Sequence, residues 1–311
     1  MARFQALTRT TVIATLILIG LGSVVRTSGS GLGCPDWPLC HGSPIPPFER
    51  TAMIEWSHRT VASVTGLLIV AQAVWAYIAF RADRALTRIA LATVPLLVMQ
   101  AILGREAVVR ELPPGVVAVH MVSALLLLGL LTVVAVLASV GPARAPDRRA
   151  GHAGFRSGAR LVTVVLGAVM VIGAYNLASG AGFACPAWPG CPDAPLPFLS
   201  GSRLQHVHWL HRLTVVGGLV ATVLLARRAR TLREASPSLA AGAVALLLLY
   251  LLQAAIGAAT IWSDFAGAVR SAHLLIGAAT WALAVALVAR AQYMPGPVAA
   301  TAISGSEAGH A

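Results

Sequence analysis

Hydrophobic residues along this chain run in blocks instead of alternating with polar ones. Eight stretches, roughly 10–27, 53–80, 89–104, 116–140, 160–178, 205–226, 239–262 and 269–291, are apolar almost without interruption. Most match the roughly 20 residues that carry a helix across the hydrocarbon core of a bilayer. The pattern predicts an all-α integral membrane protein of eight transmembrane helices. Composition agrees, since only 11% of the 311 residues are charged and 57% are hydrophobic. The first block, with Arg3 and Arg9 ahead of an apolar run from Thr11 to Val25, has the look of a signal peptide. Its mid-chain counterpart, described below, argues that it is retained as the first span.

Charge settles the expected orientation. The net charge is +12, and all 23 basic residues are arginine. They gather in the loops 81–88, 141–159 and 227–238, whereas loops 28–52, 105–115, 179–204 and 263–268 hold less arginine and more Gly and Pro. A basic excess placed this way is topological and not a nucleic-acid footprint. It predicts a multi-pass protein of the cell membrane with both termini cytoplasmic and the Gly/Pro-rich loops outside.

The spans fall into two matching halves. "SGSGLGCPDWPLC" at 28–40 resembles "SGAGFACPAWPGC" at 179–191, offset by 151. "WSHR" at 56–59 matches "WLHR" at 209–212, and "QAILG" at 100–104 matches "QAAIG" at 253–257, both offset by 153. One slowly drifting offset across several landmarks marks a duplication. The expected organisation is two tandem pseudo-symmetric four-helix bundles. The N-terminal bundle covers 1–141, a cytoplasmic linker covers 142–158, the C-terminal bundle covers 159–292, and 293–311 forms a disordered tail. With four spans each, both halves insert the same way up.

Four histidines are duplicated, His58 and His120 in one half and His211 and His273 in the other. Each sits near the outer end of an even-numbered span, at matched depth within about one turn of the boundary. Two inward imidazoles in one bundle form a bis-imidazole site of the kind that bundle cores house. Two histidines leave zinc short of ligands, while a porphyrin supplies four nitrogens and needs only two axial ligands. Iron porphyrin therefore fits best. A buried histidine can instead serve as a helix contact, but four at duplicated positions argue against that.

Arg59 and Arg212 follow the repeated histidines and are candidates for binding haem propionates, with snorkelling to the interface as the bland alternative. Glu55 breaks the symmetry. It is the one acidic residue inside an expected span, three positions before His58 on the same face, and its counterpart is His208. It is the candidate catalytic residue, and pairing with Arg59 at i and i+4 is the structural alternative. His206 and His208 lie at or near the second site, while His41, His152 and His310 are expected to be solvated.

Each outer loop carries the spacing C-P-x-W-P-x-C, which is not the C-x-x-C-H of covalent haem attachment. Short spacing, prolines and an extracytoplasmic location favour disulfides Cys34–Cys40 and Cys185–Cys191. The first pair, above the reactive bundle, is the candidate for a redox role.

Taken together, E-x-x-H-R from Glu55, the single histidines 120 and 273, H-R at 211–212 and the paired cysteines make residues 1 to about 292 resemble the haem A synthase family of cytochrome oxidase assembly. The resemblance implies oxidation of a ring methyl of haem O to a formyl group. It assigns His58 and His120 to the substrate haem iron, with Glu55 as the catalytic residue, and His211 and His273 to the iron of a haem b cofactor. It implies haem O as substrate, with haem O synthase and cytochrome oxidase assembly factors as partners. Two other classes remain: a di-haem b subunit that oxidises quinol, and a membrane thiol oxidase built on the outer cysteines.

Overall fold

The computed structural model describes residues 1–141 and 150–292. The expected tail, His310 and the first part of the expected linker lie outside the described residues. Eight long helices make up the fold: α1 (Ala2–Thr27), α2 (Arg50–Ala79), α3 (Arg84–Val109), α4 (Pro114–Val140), α5 (Ala150–Ala178), α6 (Arg203–Ala229), α7 (Pro237–Trp262) and α8 (Gly267–Gln292). All eight are long and apolar enough to cross a membrane. Short 3-10 turns sit at Ala181–Phe183 and Arg230–Leu232, and no strand occurs among the described residues.

Local chemistry fixes several helix starts. Asp83 accepts from the backbone N–H of Leu86 at the start of α3, and Ser202 forms a capping box with Gln205 at the start of α6. Pro114 and Pro237 occupy the first turns of α4 and α7, where a missing N–H costs nothing. Helices nevertheless outrun the apolar blocks. α1 begins at Ala2, and α5 begins at Ala150, so residues expected in the linker are helical. Polar turns at a bilayer boundary continue a helix while their arginines reach the interface, so hydropathy undercounts them. These turns also pack. Phe4 and Phe155 are buried in their respective cores. His152, expected in solvent, is buried at 3% exposure, with Nε2 3.4 Å from Ser236 Oγ. The polar loop around it gave no hint that α5 would start so early.

Helix packing forms two closed rings. In one, α1 packs on α2, α2 on α3, α3 on α4 and α4 on α1. In the other, α5 packs on α6, α6 on α7, α7 on α8 and α8 on α5. The rings meet through α1·α8, α4·α8 and α4·α5, while α2, α3, α6 and α7 pack only within their own ring. The seam is closely fitted. The Trp281 indole donates to Leu125 O at 2.8 Å, and a Cβ added at Gly129 would stand 3.3 Å from the same indole nitrogen. Leu125, Leu128, Ala278 and Ala282 form its apolar centre. A helix contact between such small and aliphatic groups rests on close packing, because lipid is as apolar as the protein interior.

Candidate functional site

The even-numbered helices start at Arg50, Pro114, Arg203 and Gly267. His58 and His211 therefore lie eight residues into their helices, and His120 and His273 lie six residues in. At 1.5 Å rise per residue, that is about 9–12 Å from the helix start. The matched depth holds, but the imidazoles are about two turns in where one was expected, because α2 and α6 begin before the apolar run.

Each histidine faces a glycine on a neighbouring odd-numbered helix. A Cβ built on Gly22 would lie 3.1 Å from Cε1 of His58, and one on Gly173 would lie 3.1 Å from Cε1 of His211. The corresponding distances are 3.7 Å from Gly104 to His120 and 3.0 Å from Gly257 to His273. The glycines leave room for the rings at their packing depth. His58 lies within electrostatic reach of His120, and His211 within reach of His273. The structure thus brings together the two pairs expected from the repeat, one in each ring. Nδ1 of His120, His211 and His273 is buried with no protein hydrogen-bond partner, and the His58 ring stands against the Leu18 backbone.

These features fit an iron porphyrin. Each ring of helices offers two imidazoles, at least one orphaned ring nitrogen and a glycine-lined contact, and a porphyrin completes the rest of the iron's coordination. Among the described residues no three of His, Cys, Asp and Glu come together as a metal-holding group. Two glutamines that sequence reasoning noticed only as repeat landmarks stand beside the pairs. Gln100 donates to Ser123 Oγ and, at 3.4 Å, to His120 O. Gln253 Nε2 stands 3.4 Å from His273 Nε2, and its Oε1 is buried without a partner. Their repetition in "QAILG" and "QAAIG", like that of the glycines, was the available signal.

Above the histidines sit the two cysteine loops, each closed by a disulfide: Cys34–Cys40 and Cys185–Cys191, with Cα atoms 4.6 and 4.9 Å apart. Both loops contain a cis Trp–Pro bond. A repeated fastening holds each loop to its helix. The Trp56 indole donates to Pro44 O at 2.9 Å, and that of Trp209 to Ala194 O at 2.8 Å. Arg59 donates to the carbonyls of Asp36, Leu39 and Cys34. Arg212 donates to those of Pro189, Gly190, Ala187 and Cys185. The terminal nitrogens of both guanidiniums are engaged with loop backbone, a task different from the expected one of receiving propionates.

Glu55 completes the first fastening. It is buried at 3% exposure. Its Oε2 accepts from the N–H of Cys34 at 2.8 Å, and its Oε1 accepts from Arg59 at 2.7 Å. His208, its counterpart, is buried at 5%, with Nδ1 3.0 Å from Ala181 O. The two residues tie their loops at different points and with opposite polarity: the carboxylate accepts from the N–H of Cys34, whose counterpart is Cys185, and the imidazole donates to the carbonyl of Ala181, whose counterpart is Ser30. His206 holds Ser200 O at 3.0 Å and stacks near Phe198, while His41 is exposed as expected and bonds Gly33 O.

The first loop carries one extra element. Asp36 accepts from the backbone N–H groups of His41 and Gly42 at 2.6 and 2.8 Å. The Gly42 amide, more than any other group, holds its carboxyl below the usual aspartate range. The second loop has Ala187 at that position.

Comparison with known proteins identifies the family. Residues 5–53 and 48–285 match the COX15-CtaA family, described as cytochrome oxidase assembly protein. The chain belongs to this family. It is 34% identical over 267 residues to the "Heme A synthase" of Symbiobacterium thermophilum, covering 83% of this chain and 85% of that one. It is 32% identical over 248 residues to the "Heme A synthase" of an Exiguobacterium species, covering 78% of each. The protein of that name from Bacillus licheniformis is 28% identical over 257 residues, covering 82% of this chain and 84% of its own length. Within this cytochrome oxidase assembly family, the matched region takes in both histidine pairs, both cysteine loops and the seam between the rings.

Proposed function

We infer that this chain is a haem A synthase, a membrane-bound oxidoreductase that converts a ring methyl of haem O to the formyl group of haem A for cytochrome oxidase assembly. The observation that carries this is the doubled pair of imidazoles, one per helix ring, in a chain whose family match spans both rings. We assign His58 and His120 to the iron of the substrate, haem O, and His211 and His273 to a resident haem b. That cofactor supplies one-electron transfer when bound. The chain's own residues bind and orient. The imidazoles fix each macrocycle from two helices, and the glycines facing them keep the approach open. The disulfide-closed loops, pinned by Trp56, Arg59, Trp209 and Arg212, cover the histidine level.

Glu55 distinguishes the first site. Its two oxygens are already paired with Arg59 and the Cys34 amide. It acts on the substrate as a fixed carboxylate field and a constrained proton acceptor, not as a freely moving base. Arginine-rich loops 81–88 and 227–238 support a cell-membrane orientation with both termini cytoplasmic and the disulfide loops outside. Haem O synthase and oxidase assembly factors are the partners that this reaction implies.

The test is expression with a haem O supply, followed by pigment extraction. Haem A should accumulate. Unchanged haem O alongside fast quinol-dependent haem reduction would replace this assignment with a di-haem electron-transfer subunit. Glu55→Gln keeps an acceptor for the Cys34 amide but removes the charge. It should retain haem content and lower haem A yield by about tenfold or more, consistent with the roughly 10²–10⁴-fold contribution of a positioned acid–base group. A yield equal to the parent's would remove Glu55 from the chemistry.

A further inference from the structure

We propose that Arg26 and Arg270 are the propionate anchors of the two haem sites, one serving each ring and both meeting at the seam between them. The inference rests on the haem assignment above and extends it to the acidic edge of the macrocycle.

Position is the first argument. Arg26 lies four residues, one helical turn, beyond Gly22 on α1, and Gly22 is the residue against which the His58 ring packs. Arg270 lies three residues before His273 on α8, on the same helix face. Arg270 is thus carried about one turn from His273, and Arg26 about one turn past the level at which His58 packs, both toward the end that bears the cysteine loops; the Arg26 guanidinium itself reaches across the seam to α5. The two helices are tied together at this level, with Thr27 Oγ1 2.9 Å from Ser271 Oγ. A Cβ added at Gly267 would come within 3.4 Å of the Thr27 side chain. Arg26 and Arg270 consequently lie within electrostatic reach of each other.

Lack of counter-charge is the second argument. Among the described residues the ion pairs are Arg59–Glu55, Arg105–Glu106 and Arg110–Glu106, so neither seam arginine has an acidic partner. Arg26 donates one N–H to Leu177 O at 2.8 Å, and its Nε is buried without a partner. The Arg270 guanidinium stacks 5.0 Å from the Phe183 ring centroid, which leaves its N–H edge unspent. Two partly buried cations side by side repel, and the arrangement calls for an anion that can bond both. A haem presents two carboxylates on one edge. Arg59 and Arg212, the more obvious candidates, have their terminal nitrogens on loop carbonyls. The positions matching Arg26 and Arg270 in the opposite halves are Leu177 and Val117, so the cation pair belongs to the seam and not to the repeat.

The test uses the purified full chain with its resident haem and the substitutions Arg26→Gln, Arg270→Gln, Arg26→Lys and Arg270→Lys. Readouts are haem-to-protein ratio, midpoint potential and reconstitution with iron protoporphyrin IX against its dimethyl ester. Arg270→Gln should lower the midpoint of the haem on His211 and His273 and weaken its retention about tenfold, the loss of one charge-assisted hydrogen bond. Arg26→Gln should do the same at the first site, while the lysine variants, which keep the charge, should hold the parent's midpoints. The parent should prefer the free acid over the diester, and each glutamine variant should lose that preference at its own site. Should a glutamine variant fail to accumulate, the lysine variant and the parent's diester comparison decide. Equal binding of acid and diester by the parent, or glutamine variants matching it, would overturn the proposal. A parent that retained no haem would instead overturn the assignment on which it rests.

Discussion

The two helix rings share a frame but differ in what lines them. Toward the end away from the cysteine loops, the first ring buries Thr11, Thr15, Gln72 and Thr93, while the matching positions in the second bury Val162, Leu166, Leu225 and Leu246. The exchange also runs the other way, with Ile69 and Leu127 in the first ring matched by Thr222 and Thr280 in the second. Most of these threonines return their hydroxyl to their own helix, as Thr11 does to Leu7 O and Thr15 to Thr11 O, so the substitution is mild in either direction. Gln72 differs, because neither atom of its buried amide has a protein partner. Coupled exchanges are visible too. Tyr250 donates to Val215 O, and a Cβ at Gly218 would clash with the tyrosine hydroxyl; the first ring has Leu97 and Thr65 at those positions. The halves are held alike where imidazoles and loop fastenings demand it, and repack freely elsewhere.

That comparison can be broken most decisively at the histidines. His273→Ala should remove the resident haem absorbance and leave the first site able to take up haem O, whereas His120→Ala should do the reverse. Either should cut haem A formation by more than about a hundredfold, since even outer-sphere changes at such sites cost up to that much. Identical spectral losses from both would end the division of labour between rings.

The loop fastenings come next. Arg59→Ala leaves the buried Glu55 carboxylate without its cation and should cost about 3–5 kcal/mol in detergent unfolding. Arg212→Ala strands only neutral carbonyls and should cost about 1–3 kcal/mol. Adding Glu55→Gln to Arg59→Ala should recover part of the loss, and equal costs for the two alanines would mean that the carboxylate is not what separates the fastenings. Smaller still, Gln72→Leu installs the side chain of the second ring and should raise stability by about 1–2 kcal/mol, the penalty of an unsatisfied buried amide removed. A destabilised variant would show that the amide has a partner of its own, such as internal water.

The smallest effect concerns Asp36, whose folded-state pKa is depressed chiefly by the Gly42 amide. A depressed carboxyl stabilises the loop at pH above its unfolded value, near about 3.9, and loses that contribution as pH falls through the lower folded value. Exchange of the His41 and Gly42 amides should quicken on acidification through that window, with no matching change in the second loop, where Ala187 replaces the carboxylate.

Much of this was legible in the chain. Eight spans, two matched halves, the four histidines and both cysteine pairings follow from block hydropathy and a drifting offset, because bilayer thickness and duplication leave periodic marks. Helix ends were not legible. α1 and α5 extend through arginine-bearing turns that hydropathy scores as loop, which misplaced His152, and the early starts of α2 and α6 set the histidines one turn too shallow. The tasks of Arg59 and Arg212 were also hidden, since a guanidinium one residue past a ligand has the same sequence signature whether it meets a carboxylate or a loop carbonyl.

The sequence alone determined that this protein crosses a membrane eight times and carries two copies of one imidazole pair, since apolar length and repetition are one-dimensional properties. Only the folded chain decided which glycine faces which histidine, where Glu55 spends its two oxygens and that Arg26 stands beside Arg270. Those relations join residues from different helices, and interhelical distance is set by packing across a seam that no local pattern encodes.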